Sequence, residues 1–197
     1  MGAKGEITKD KIVKTARYLF KHQGYRNTTI DNICNSSGVK RGNLYFYFKG
    51  KENLAYAVIA DAIEREFPLL NSMMEDQSAP LAKVEAIIDG MVQYIIRKDC
   101  QGGWFFGNFA LEVGDTNRGL SDAINRFFIE WHALLSSLLG EAKEAGELRK
   151  ETDCDALSRL IMSAMEGAIL ICKVSKDPAC LLKTVGTLKS VIASHGA

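Results

Sequence analysis

Residues 28–48 read TTIDNICNSSGVKRGNLYFYF, and this stretch decides the fold. Thr29 is a good N-cap for a short helix carrying Ile30, Ile33 and Cys34 on one side, and Ser36-Ser37-Gly38 breaks it after two turns. A further short helix must then start near Lys40, where Leu44 and Phe48, four residues apart, dock inward together. Upstream, Ile12, Val13, Ala16, Leu19 and Phe20 recur along one face with Lys11, Lys14, Arg17 and Lys21 between them, as far as Gly24. A longer helix followed by two short ones across a tight glycine turn describes a helix-turn-helix, whose second member enters the major groove by its N-terminal residues.

Charge supports this placement. Residues 1–51 hold eight Lys and three Arg against Glu6, Asp10 and Asp31, a surplus of eight positive charges; the remaining residues hold 14 bases and 21 acids. A cationic patch at one end is the footprint expected for a polyanion, nucleic acid or anionic membrane. Within it, Arg41 and Asn43, with Gly42 between them, sit at the start of the second short helix. Arg grips guanine O6 and N7 in a fork and Asn pairs both ways with adenine, so these side chains suit base reading. Tyr45, Tyr47, Lys49 and Lys51 suit phosphates, and Thr29 offers a hydroxyl and free amides to another phosphate. Phe46 and Phe48, aromatic at helical spacing, are assigned to the core.

The run Gly24-Tyr25-Arg26-Asn27-Thr28-Thr29-Ile30-Asp31-Asn32-Ile33, then Gly38 to Phe48, then Lys51-Glu52-Asn53-Leu54, resembles the TetR family of bacterial regulators. The resemblance covers about residues 6–66 in order and spacing. It implies a DNA-binding domain over 6–66, with its helix-turn-helix at about 29–48, and a repressor that leaves double-stranded operator DNA when a small effector binds. Lys40 departs from the pattern, since the family often has Ser or Thr there. A lysine offers no side-chain acceptor for a cap, so Lys40 is expected to contact phosphate or base.

Residues 67–197 read as a larger helical domain for ligand binding and dimerisation, making the whole chain all-α. Hydrophobic residues form 47% of the chain and prolines number three, which favours a packed helical protein over strands or disorder. A fourth helix runs from beyond Gly50 to Phe67, where Pro68 ends or kinks it; it is taken as the only covalent link between the domains. Further on, Met91, Tyr94, Trp104, Asn108, Phe109, Phe127, Trp131, His132 and Glu166 either line a cavity for an apolar or aromatic effector or fill one another as core. A terminal helix pair, apolar on more than one side, points to a two-fold homodimer through Leu157, Leu160, Ile161, Ala164, Ala168, Leu181, Val185 and Leu188.

No H-E-x-x-H, G-x-S-x-G, phosphate loop or grouped Cys/His set occurs, so no catalytic residue, metal site or cofactor is expected. The five scattered cysteines read as reduced, buried small hydrophobes of a cytoplasmic protein, and no segment is apolar enough for a membrane span. The rival reading is a constitutive or architectural DNA-binding protein with the same head and no sensing pocket. A tightly filled interior near Trp104 and Trp131 is its mark.

Overall fold

The computed structural model describes residues 3–197, with side chains described from residue 5 onward. Among the described residues the chain is helical throughout: α1 (Ala3–Gln23), α2 (Ile30–Ser37), α3 (Arg41–Tyr47), α4 (Lys51–Met74), α5 (Pro80–Ile96), α6 (Phe105–Val113), α7 (Arg118–Glu144), α8 (Cys154–Ser175) and α9 (Pro178–Ser194). One isolated antiparallel bridge joins Leu148 and Gly196.

The chain divides into two compact units. The first takes residues up to Glu66 together with Phe105–Phe127, and the second takes Phe67–Trp104 and Phe128–Ala197. The backbone therefore passes between them at 66/67, 104/105 and 127/128. This corrects the expectation that α4 alone connects them. Local periodicity could not show that α6 and the start of α7 fold with the first helices, because that pairing is long-range.

In the first unit, Ile12, Ala16 and Phe20 of α1, Ile33 of α2, Leu44 of α3, and Leu54, Ala55 and Val58 of α4 are buried together with Phe106 and Phe109 of α6. Thr29 caps α2 in a reciprocal box: Asn32 N–H donates to Thr29 Oγ1 at 3.1 Å, and Thr29 N–H donates to Asn32 Oδ1 at 2.8 Å. Gly38 closes α2 in the left-handed region, φ 66°, and so allows the reversal into α3. Pro68 sits inside α4, which continues through it to Met74.

In the second unit, Val84, Ile87, Ile88 and Met91 of α5, Trp131, Leu135 and Leu139 of α7, Ile161 and Met165 of α8, and Leu181 and Ile192 of α9 form the core. Asp153 and the Asp177-Pro178 pair start α8 and α9, with each carboxylate accepting a backbone N–H of the first turn. All five cysteines are free thiols. Only Cys100 and Cys172 are buried; Cys34, Cys154 and Cys180 are half-exposed, contrary to expectation, because each lies on a helix flank beside the core stripe. Burial, together with the neighbouring Cys100 thiol, pushes Cys172 up to about 12.

Candidate nucleic-acid interface

The α2–α3 pair presents a polar surface. Lys40 caps α3 by backbone position alone, with no side-chain cap bond. Arg41 is exposed; its guanidinium lies 3.1 Å from Asp31 Oδ1 on α2 and 5.7 Å from the Tyr45 ring centre. Its hydrogen bond to Tyr45 and the charge of Asp31 raise its pKa further. Asn43 is exposed, and a Cβ added at Gly42 would meet nothing within 4 Å. Tyr45 and Lys49 are exposed, and Tyr47 is half-buried between the rings of Phe46 and Phe48.

Phe46 corrects the sequence reading. Phe48 is buried as expected, whereas Phe46 is 75% exposed and touches Tyr47 edge-on at 5.0 Å. With Leu44 and Phe48 inward, a residue two positions from each must point outward on a helix, a register that the aromatic character of the run obscured.

Lys51 also differs from a plain surface lysine. Its ammonium donates to the carbonyls of Tyr25 and Arg26 at 3.0 and 3.2 Å and lies 4.5 Å from the Tyr25 ring centre. Burial lowers its pKa, opposed by the charge of Glu112. An ammonium has three N–H donors, so one remains for a phosphate.

The residues expected around an effector divide between the two units. Phe109 packs against Phe20 and Tyr25, with ring centres at 5.9 and 5.2 Å, and Phe127 stacks on Phe106 at 3.5 Å, so both fill the first unit, to which Asn108 also belongs. In the second unit, Trp104 stacks on Trp131 with ring centres 6.2 Å apart, and Tyr94 meets Trp104 edge-on at 6.3 Å. Met91 is buried in that unit's core, and Glu166 stands half-buried on α8. The Trp104 indole N–H is buried without a hydrogen-bond partner. His132 Nε2 lies 3.1 Å from Asp155 Oδ1, and Asp155 is held below its ordinary pKa first by its hydrogen bond to Arg159.

Of the residues expected at a dimer interface, Leu157, Ile161, Ala168, Leu181, Val185 and Leu188 are buried within the single chain, where α8 packs on α9. Ala164 is half-buried and Leu160 exposed. The exposed large apolar residues of the two helices are Leu160, one of those expected, with Leu170, Ile171 and Val174 of α8 and Leu182 of α9, from 41% exposed at Leu170 to 76% at Val174. Sequence periodicity marked the helices as two-sided, and six of the eight residues it gave lie on the inward stripe. No helix among the described residues is long and apolar enough to cross a membrane.

Comparison with known proteins places these observations. Residues 12–58 match the family described as bacterial regulatory proteins, tetR family, and residues 80–187 match the tetracyclin repressor-like C-terminal domain. The chain is 27% identical over 197 residues to the HTH-type transcriptional regulator YxaF of Bacillus subtilis, covering 100% of both proteins. It is 28% identical over 178 residues to the transcriptional regulator AcuR of Cereibacter sphaeroides, covering 87% of this chain and 79% of that protein. A TetR transcriptional regulator from Chloroflexus aurantiacus superposes with a TM-score of 0.92 at 28% identity, covering 99% of this chain and 98% of the other.

Proposed function

Because the chain belongs to the TetR family of bacterial transcriptional regulators, we propose that it is a repressor, released from its operator by a small, mainly apolar or aromatic molecule. It is a DNA-binding regulator, and the exposed start of α3 carries the finer reading. Arg41 and Asn43 face outward beside Tyr45 and Phe46, within the segment that holds the surplus of positive charge. We assign base reading to Arg41, Asn43 and Phe46, the last through thymine methyl groups, and phosphate contact to Thr29, Lys40, Tyr45, Tyr47, Lys49 and Lys51. Gly42 lets the helix approach closely.

DNA reading belongs to residues 6–66, with Phe105–Phe127 folded against them, and effector binding and dimerisation belong to the rest of 67–197. The effector's place is at Trp104, where a stacked tryptophan pair offers a flat apolar wall and an unpaired indole N–H a donor. The apolar row Leu160, Ile171, Val174 and Leu182 is the surface for a second copy, which a two-fold operator requires.

Selection from a random duplex pool tests this reading, followed by release in the presence of planar aromatic acids and ketones. The expected result is a palindromic site, and release by at least one compound that also changes tryptophan fluorescence. Failure to enrich any duplex overturns the reading. A site that no compound releases, with unaltered fluorescence, leaves a constitutive repressor.

A further inference from the structure

The turn between α1 and α2 is held from an unexpected direction. Tyr25 N–H donates to Glu112 Oε1 at 3.0 Å and Arg26 N–H donates to Glu112 Oε2 at 2.8 Å, so one carboxylate on α6 takes two successive amides. The carbonyls of the same two residues accept from Lys51 at 3.0 and 3.2 Å. Two peptide groups thus lie between a carboxylate and an ammonium, and bonds to charged partners are shorter and stronger than neutral ones. Gly24 makes the approach possible, since it stands at φ 85° and a Cβ there would lie 2.7 Å from Glu112 Oε1.

Neighbouring contacts extend the grip. Phe109, three residues before Glu112 and on the same face of α6, packs on Tyr25 at 5.2 Å. The Arg26 guanidinium donates to Thr116 Oγ1 at 3.0 Å, and Thr116 Oγ1 donates to the Glu112 carbonyl at 3.1 Å. Asn117 Nδ2 donates to Glu52 Oε1 at 3.0 Å on the first turn of α4. The α6–α7 corner therefore holds both flanks of the α2–α3 pair, the turn that launches α2 and the helix that follows α3.

We propose that Glu112 is a positioning residue for DNA reading: it sets the direction in which α2 and α3 leave α1 by fixing the Tyr25–Arg26 peptides from α6. No nucleic acid needs to touch it. Without the carboxylate, the part-buried Tyr25 amide and the exposed Arg26 amide turn to water, and the α2–α3 pair pivots on the apolar contacts of Ile33 and Leu44. Loss of direction weakens base contacts, which are geometric, far more than phosphate contacts, which tolerate displacement. This rests on the reading of α3 as the DNA-reading helix.

The test compares Glu112→Gln with the parent on the duplex that the parent enriches and on a shuffled duplex of equal length. Amide exchange at Tyr25 and Arg26 and the melting temperature are followed in parallel. The expected result is a roughly tenfold loss on the enriched duplex, equal to about 1.4 kcal/mol, with the shuffled duplex within about twofold. The two amides exchange faster and the fold persists. Equal losses on both duplexes, or no loss, overturn the proposal and leave Glu112 a stabilising residue. Should Glu112→Gln fail to fold, Thr116→Val removes the Arg26 contact from the exposed side, and a selective loss of about threefold is then required for the proposal to stand. A parent that enriches no duplex sinks both this proposal and the functional reading, whereas a selective parent with an unchanged Glu112→Gln ratio sinks this proposal alone.

Discussion

The surface around α3 in the first unit and that along α8 and α9 in the second leave different groups unmatched. On the first, the exposed side chains around α3 are mainly polar or cationic, and water satisfies them until a polyanion does. On the second, the exposed residues Leu160, Ile171, Val174 and Leu182 are apolar, while an unmatched polar group, the Trp104 indole N–H, is inside. A polar face exchanges one wet partner for another and is stable alone. On the proposed reading, the exposed apolar residues of α8 and α9 are covered by a second copy. On that reading one unit is built for a reversible contact and the other for a lasting one.

The sharpest way to break this comparison is to place a charge in the apolar row. Ile171→Glu or Val174→Glu is expected to weaken self-association by about 3–5 kcal/mol, since an unpaired carboxylate cannot be buried at lower cost. Helix content should remain, because both side chains are exposed in the single chain. Light scattering from low micromolar concentration upward decides it. Persistent dimers in both variants would mean that copies meet elsewhere.

Glu66 is where the first unit departs from its own pattern, as a mostly buried carboxyl on α4. Burial raises its pKa to about 7, with Lys21 and then Arg17 opposing the rise. The native state therefore holds a proton more tightly than the unfolded chain does. Stability falls as pH climbs from about 4.5 to about 7, and the penalty stands in full above that, on the order of 3 kcal/mol. Glu66→Gln should match the parent near pH 4.5 and exceed it at pH 8 in urea unfolding. An equal difference at both pH values would show that no buried charge is at issue.

Much of the first unit was legible because its signals are local. Thr29 before Ile30, Gly38 at the end of α2, and Leu44 with Phe48 four apart each declare themselves within a few residues. Glu112 and Lys51 were not legible, since their partners at Tyr25 and Arg26 are distant in sequence and are backbone atoms. The same limit explains why the sequence left Phe109 and Phe127 open between cavity wall and core: aromatic character shows burial but not which neighbours fill the space. In the second unit the helices were legible from periodicity. The division of α8 into an inward stripe with Leu157 and Ile161 and an outward one with Ile171 and Val174 depends on where α9 packs.

Arg41 and Lys51 sharpen the contrast between reading and holding within the first unit. Arg41→Ala should cost roughly 1–3 kcal/mol on the enriched duplex and little on a shuffled one. Lys51→Ala should weaken both duplexes alike and lower the salt slope by roughly one. It should also lower the melting temperature, because its ammonium holds two carbonyls. Affinities across a salt series test the pair. Identical losses from both variants on both duplexes would erase the assigned division of labour.

The smallest effect expected is at Phe46, and it is the one on which the two readings of that residue disagree in kind. A core phenylalanine truncated to alanine costs about 3–5 kcal/mol of stability. Phe46 is 75% exposed and meets only the edge of Tyr47 at 5.0 Å among the ring contacts described, so Phe46→Ala leaves no cavity behind. Alanine is also the better helix former, and the melting temperature should hold or rise slightly. On the proposed reading the exposed ring beside Arg41 and Asn43 meets thymine methyl groups in the major groove, and its loss should cost about 1 kcal/mol on the enriched duplex alone. Replacing thymine by uracil in that duplex removes the methyl groups and should reproduce the loss for the parent while leaving Phe46→Ala unaffected. If the variant melts several degrees lower and binds both thymine and uracil duplexes as the parent does, Phe46 belongs to the core after all, and the outward register of α3 is wrong by one position.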